Sequence, residues 1–535
     1  MIEAEVHLSL HNFLKRQVGF PSWHHHLTMA RLVARALRVG RSALIQVGAA
    51  CGFQGRYRTS FVASALMWQG PVIIVAPDSV KQSLLKVEIP RLQEWLQIDK
   101  PIRIGDSFPG NNFQGLLLIS PQTWLKLQLD NQDNLQNNLP DGIPTIIDGI
   151  DDLENWVRQY LTITIDSQDW EQLMLACPHQ GDKIRGARVH LTRDFFQHPA
   201  NPYECYLLSE DDEEVLSRLF SEFIPEQLPE KWQKFSKVFQ SGNQSINSLL
   251  NYEKHSEKSN LPASSLKWVT IARRQGLFSL HCAPGEVAST LSPIWQRQPV
   301  VLIGSAIEPE TEAPIFRQQM GLNDLTCLKF SSDSQAEAIS LYVPNQFPLP
   351  NTPEYQAAFI NKVRSLLCLS ATSSGSTVIL IGDVPLKSRT GAILASEFGS
   401  RVQVEKTCLE DNGILISGWE YWREYQKVLP TPELLIIATL PLPSLEHPLV
   451  SLRVAHYKKT HQDWFRLYLL PQALKELQRA IAPVRENQGI VALLDTRVIN
   501  RSYGAQILTA LSPMARINYL DPDLFASEDE QRSWE

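Results

Sequence analysis

The stretch Gln46-Val47-Gly48-Ala49-Ala50-Cys51-Gly52-Phe53-Gln54-Gly55-Arg56-Tyr57-Arg58-Thr59 decides how the rest of this chain is read. An apolar segment, Ala43–Val47, runs into a loop of small residues, and a helical pattern follows over Ser60–Trp68. Strand, glycine-bearing loop and helix are the setting of a phosphate-binding loop. Such a loop needs G-x-x-x-x-G-K-[ST]: the glycines let backbone N–H groups close on phosphates, the lysine reaches the outer phosphates, and the hydroxyl holds Mg²⁺. Here the register is Ala50…Gly55-Arg56-Tyr57, or, with a small insertion, Arg58-Thr59 forms the basic–hydroxyl pair. Gly52, Gly55, Arg56, Arg58 and Thr59 are the candidate nucleotide contacts, and both registers lack the lysine.

Around this stretch, strand-like segments at Val72–Ala76, Leu116–Ile119 and Thr145–Asp148 alternate with helical ones at Leu27–Val39 and Ser79–Leu85, which implies a doubly wound parallel sheet. From Glu154 to Ser265 the chain turns Trp- and Gln-rich with helical periodicity. The acidic run Glu210–Glu214 follows Ser209, with Asp212 three residues on, and reads as a helix N-terminus rather than a binding patch. A Ser/Asn-rich linker, Gln240–Ser265, closes this insertion. Strand-like segments return at Trp268–Ile271, Val300–Ile303, Thr377–Ile381, Ile414–Ser417, Leu434–Ala438 and Gly489–Leu494. The expected architecture is α/β, with two doubly wound parallel-sheet domains and a mainly helical insertion. Residues 1–153 form the first domain, 154–265 the insertion, 266–313 the completion of the first domain, 314–520 the second domain and 521–535 an acidic tail.

At 535 residues the chain is too long for a single core, and its 20% charged content fits a soluble globular protein. Seven cysteines occur singly with no C-x-x-C, which argues against zinc or a disulfide framework and fits a reducing cytoplasm. No apolar run approaches the roughly 18 residues of a membrane span, so no membrane role is expected. The net charge of −7 gives no overall pull toward nucleic acid, but the charge is unevenly spread. Val6–Pro77 contains no Asp or Glu, and Arg31, Arg35 and Arg38 recur at i, i+4 and i+7 on one helix face. That stripe is either a solvated face or a set of contacts to the phosphates of a single strand.

Several further stretches resemble the DinG/XPD family of superfamily-two DNA helicases, in the right order along most of the chain outside the insertion. Val72-Ile73-Ile74-Val75-Ala76-Pro77 is similar to the strand after the family's phosphate loop, and Ile146-Ile147-Asp148-Gly149-Ile150-Asp151-Asp152-Leu153 stands where the family has I-I-D-E-A-H-N-L. Leu302-Ile303-Gly304-Ser305-Ala306-Ile307 resembles the T-S-A-T-L motif, and Leu440-Pro441-Leu442-Pro443 with His447-Pro448-Leu449 resembles L-P-F…P-x-D-P-L. Leu470-Pro471-Gln472-Ala473-Leu474 and Leu494-Asp495-Thr496-Arg497 complete the series. The resemblance implies two RecA-like domains, ATP with Mg²⁺ as cofactor, and DNA as partner.

The motor residues of that family are largely absent. Asp148 remains as a Mg²⁺ candidate, but Gly149 replaces the Glu that handles the attacking water, and glycine cannot do general-base work. The family's Q-G-x-G-R-x-x-R reads Gln478-Arg479-Ala480-Ile481-Ala482-Pro483-Val484-Arg485, leaving Gln478 and Arg485 as vestiges and Arg485 as the finger candidate, with Pro483 expected to disturb the helix. The family's cluster-binding cysteines lie between its phosphate loop and D-E-A-H box; this chain has none between Cys51 and Cys177, so no iron–sulfur cluster is expected there. No catalytic residue is assigned, and any ATP or Mg²⁺ binding is expected to be weak. His24-His25-His26 are adjacent and do not converge on a metal. Trp419, Tyr421, Trp422 and Tyr425 are core residues by default, with Trp422 the candidate base-stacking residue. The leading expectation is a non-hydrolysing helicase-like protein that binds single-stranded nucleic acid or docks on a DNA repair or replication machine. The alternatives are an ATP-dependent helicase with unusual motifs and an interaction scaffold without a nucleic-acid role.

Overall fold

A computed structural model describes residues 2–16, 23–110, 112–130, 139–224, 227–241, 265–330, 337–370 and 375–519. The 521–535 tail and most of the Gln240–Ser265 linker lie outside them. Helices α1 (Ile2–Arg16) and α2 (His26–Val39) form a hairpin whose apolar positions, Val6, Leu10 and Phe13 against Met29, Val33 and Leu37, meet at helical spacing. Strand β1 (Ala43–Gln46) leads into two helices, α3 (Ala49–Gln54) and α4 (Arg58–Met67). Strands β2 (Val72–Val75), β3 (Ile102–Ile104), β4 (Leu116–Ile119) and β5 (Thr145–Asp148) follow. The insertion carries β6 (Ile163–Ile165), β7 (Cys205–Leu207), β8 (Ser265–Ala272) and β9 (Leu277–Pro284), and the chain then returns with β10 (Val300–Gly304) and β11 (Thr326–Lys329).

The first sheet runs β11-β1-β10-β5-β2-β4-β3, with every pairing parallel. Its central strands are buried on both faces, as an all-parallel sheet requires, so they read as continuous apolar runs. The second sheet, also parallel, comprises β12 (Ile339–Tyr342), β13 (Thr377–Leu380), β14 (Val402–Val404), β15 (Ile414–Ser417), β16 (Leu434–Ile437), β17 (Ile490–Leu493) and β18 (Met514–Ile517), in the order β14-β15-β13-β16-β17-β12-β18. The two parallel-sheet α/β domains anticipated from the sequence are present.

The boundaries differ from expectation in two places. The Trp268–Ile271 segment does not rejoin the first sheet: β8 and β9 form a hairpin in an antiparallel sheet, β6-β9-β8-β7, that belongs to the insertion. Its alternating burial is the signature of one covered face, and Gly276, at φ 67°, makes the turn. The insertion is therefore helices packed on a sheet, sharing one core that includes Trp170, Phe195, Trp232 and Phe278. The 313/314 boundary also falls early, because β11 still pairs with β1. The acidic run at Glu210 is a helix start as anticipated: the Ser209 hydroxyl accepts from the Asp212 N–H, and Asp212 returns a bond to the Ser209 N–H.

Candidate functional site: the cleft between the parallel-sheet domains

The stretch after β1 is a helix rather than an open loop. Gly48, in extended conformation, precedes α3, and Gly55, at φ 70°, ends it. Two glycine amides of the stretch are taken inside the chain: Gly52 N–H donates to Gly48 O and Gly55 N–H to Cys51 O, both at 2.9 Å. Gly52 is required by packing, since a Cβ there would lie 2.1 Å from Ser305 Cβ. Arg56 is half-buried, and Thr59 is buried in the first turn of α4.

Tyr57 and Arg58, brought inward after Gly55, converge on Asp148. The Tyr57 hydroxyl donates to Asp148 Oδ1, and Arg58 Nε donates to Oδ2 at 3.0 Å. Asp148 is 1% exposed, so both of its oxygens are engaged in a closed site. Burial pushes the Tyr57 phenol well up, and the neighbouring Asp148 charge adds to the shift. Burial opposes the charge on Arg58, but Asp148 more than offsets it and raises its affinity for the proton. Gly149 has φ 82°, a left-handed conformation that costs an L-residue roughly 1–2 kcal/mol. The position of the family's water-activating Glu is thus one where the backbone itself disfavours a side chain.

Beyond it, the acids of the β5 exit face the second domain. Asp151 accepts the Ser305 and Ala306 N–H groups and ties the exits of β5 and β10 together. Asp152 pairs with Arg479 at 2.8 Å and with Lys475 at 3.6 Å. Lys475 also donates to the Asp151 carbonyl. Glu154 takes Arg158 from its own helix at 2.8 Å and Arg453 from the second domain, and the Arg453 guanidinium lies 3.9 Å from the Tyr468 ring centre. Burial alone would raise the Glu154 carboxyl, but Arg453 and Arg158 hold it down at about 2. Asp152 is likewise lowered, burial being outweighed by Arg479 and Lys475.

The Leu470–Glu486 helix, which supplies Lys475 and Arg479, packs directly on α3. It continues past Pro483, contrary to expectation, because the proline sits in the last turn where only one backbone bond is lost. Arg485 has its guanidinium taken up by backbone carbonyls, although it also lines the larger gap in the cleft. It is 3% exposed and donates to the carbonyls of Glu337, Leu511, Ser512 and Pro513, bracing the approach to β18. Gln478 donates to Ala510 O at 3.2 Å. Trp422, 1% exposed, is a core anchor whose indole donates to Ala480 O, so its ring faces are covered in this structure. Arg31, Arg35 and Arg38 are exposed on α2, away from this cleft, and Arg38 pairs with Glu3 at 2.7 Å. His26 bonds Ser60 Oγ at 2.9 Å, while His25 stacks on Phe330.

The two largest gaps of the cleft among the described residues flank the Gly48–Gly55 stretch. One of about 210 Å³ lies between Gly52, Phe53, Asp152, Lys427 and Arg479, and one of about 340 Å³ between Gly48, Glu308, Lys329 and Arg485. They stand below and near the lower limit of the roughly 300–1,000 Å³ typical of ligand pockets. With Asp148 held by two side chains and no lysine in the stretch, the residues present do not fit a Mg²⁺–nucleotide. Glu154, Arg453, Lys475 and Arg479 were not singled out from sequence. The Lys475/Arg479 spacing marks one basic helix face, but nothing local to Arg453 indicates its partner almost 300 residues away.

The helicase C-terminal domain family model matches residues 431–514. The ATP-dependent DNA helicases YoaA of Haemophilus influenzae and Escherichia coli are each 22% identical, over 261 and 253 residues; the matches cover 46% and 45% of this chain and 40% of each relative. The chain thus matches well under half the length of those relatives. Among solved structures, S. tokodaii Xpd4 aligns with a TM-score of 0.55 at 13% identity, covering 92% of this chain and 100% of that one. An apo XPD structure aligns at 0.54 and 11%, again over 92% of this chain and 100% of the other. With its two parallel-sheet domains, its C-terminal family match and these relatives, the chain is similar to superfamily-two helicases of the DinG/XPD kind.

Proposed function

We propose that this protein is a helicase-fold protein that does not hydrolyse ATP, and that it works in the cytoplasm by binding nucleic acid or by docking on a DNA repair or replication assembly. The observation that carries this reading is Asp148: Tyr57 and Arg58 occupy both oxygens of the carboxylate that would otherwise hold Mg²⁺. Gly149 and Ala482 remove the water-activating acid and one arginine, and each such loss typically costs ~10²–10³ in rate. The chain's own residues join the domains instead, through Asp152–Arg479 and Glu154–Arg453. No helix among the described residues is long and apolar enough to cross a membrane.

The test is ATP hydrolysis with and without single-stranded DNA, alongside calorimetry with Mg²⁺-ATP. The expected result is no stimulated turnover and at most weak binding. Turnover near about one per second, abolished by Asp148→Ala, would instead establish an ATP-dependent helicase of unusual chemistry, in line with the named activity of the YoaA relatives.

A further inference from the structure

The α1–α2 hairpin presents an open groove of about 740 Å³ on the first domain, distinct from the cleft. Ala4 and Leu8, one turn apart on α1, and Leu32 on α2 supply its apolar surface, and Leu8 is 61% exposed. Arg31 and Arg35 rise along one side, separated by four residues and hence by ~6 Å of helix. Arg38 and Glu3 close one end as a neutral pair. Glu3 is the one acid among the residues lining this groove and is paired with Arg38, so Arg31 and Arg35 leave its rim cationic in a chain that is acidic overall.

We propose that this groove docks an acidic amphipathic helix of a protein partner. The apolar positions of such a helix would lie on Leu8, Ala4 and Leu32, and its carboxylates would meet Arg31 and Arg35, the helix-in-groove mode of recognition. A phosphate strand fits less well. With Arg38 already paired, only two arginines face it, and two contacts give a salt slope of only about 1.4 on a single strand. The groove has no Phe, Tyr or Trp on which bases could stack, and its exposed leucine would go unused. The proposal rests on the docking arm of the proposed function, but its test contains no nucleotide, so either can fail without the other.

The experiment is fluorescence anisotropy on the full chain with three labelled probes: a synthetic helix with Leu on one face and Glu on the other, the same helix with Lys in place of Glu, and an oligothymidine single strand. The Glu helix should bind about tenfold or more tightly than the Lys helix. Arg31→Glu with Arg35→Glu should reverse that preference, and Leu8→Ser should weaken both helices. All three positions are exposed, so unchanged circular dichroism is expected and confirms the fold. Equal binding of the two helices, binding of neither, or loss of oligothymidine binding alone on charge reversal would overturn the proposal. So would self-association of the chain that the same charge reversal disperses, since the occupant would then be a second copy.

Discussion

The two sheets and the cleft between them respond to different demands. In the sheets, β1, β2, β4 and β5 of the first domain and β13, β15, β16 and β17 of the second are buried along their whole length. The cleft instead is held by charge: Arg58 on Asp148 within one domain, and Arg479 on Asp152 and Arg453 on Glu154 across both. Burial of apolar strands depends only on patterning and volume, so it is independent of which polar groups line the cleft. The cleft residues pair with one another, through partners that patterning and volume do not specify. Architecture and chemistry are therefore separable in this molecule, and the separation can be tested.

The largest effect should come from Asp148→Ala. It leaves the Arg58 guanidinium buried without its counter-charge, and breaking such a pair typically costs ~3–5 kcal/mol, to be measured by urea unfolding. Replacing both partners, Arg58→Met with Asp148→Leu, should recover most of that loss. If Asp148→Ala is neutral, the carboxylate is not locked, and the contrast between sheets and cleft fails.

The cross-domain acid is tested by pH. Glu154 is depressed from 4.5 to about 2, so the stability it contributes is fully present above pH 4.5 and is lost as the pH falls through the folded value near 2. The depression corresponds to about 3 kcal/mol at neutral pH. Unfolding measured from pH 6 down to about pH 2 should show a slope across that window that Glu154→Gln flattens. An unchanged slope would place the ion pair outside the determinants of stability.

Gly149→Glu should lower stability by roughly 1–2 kcal/mol through its left-handed backbone, and should restore no ATP turnover because Asp148 remains engaged. ATP turnover in this variant but not in the unaltered chain would show that Asp148 is free to serve catalysis. The smallest effect is expected for Asp152→Asn: this carboxylate is about one-third exposed, and exposed pairs typically contribute ~0.2–1 kcal/mol. A larger loss in low salt than in high salt would confirm that its partners act as charges.

Much of this was open to reading along the chain. Continuous apolar runs such as Val72–Val75 and Leu434–Ile437 marked buried parallel strands, and the missing lysine and Gly149 marked departures from the helicase motifs the chain resembles. The β8–β9 hairpin was misplaced because Trp268–Ile271 alternates too briefly to reveal which sheet it joins. Arg485 and Trp422 matched the positions of functional residues, yet the fold turns one onto four carbonyls and the other into the core.

The amino-acid sequence by itself determined the two parallel sheets, since the side-chain period and apolar runs are local properties that neighbouring residues carry. It also determined which catalytic groups are absent, because a missing side chain is visible without coordinates. Only the tertiary structure decided what replaced them. That Tyr57 and Arg58 turn onto Asp148, and that Arg453 reaches Glu154, depends on three-dimensional approach between segments roughly 90 and 300 residues apart. Charge–charge interactions follow distance and burial rather than position in the chain, so no linear pattern announces them.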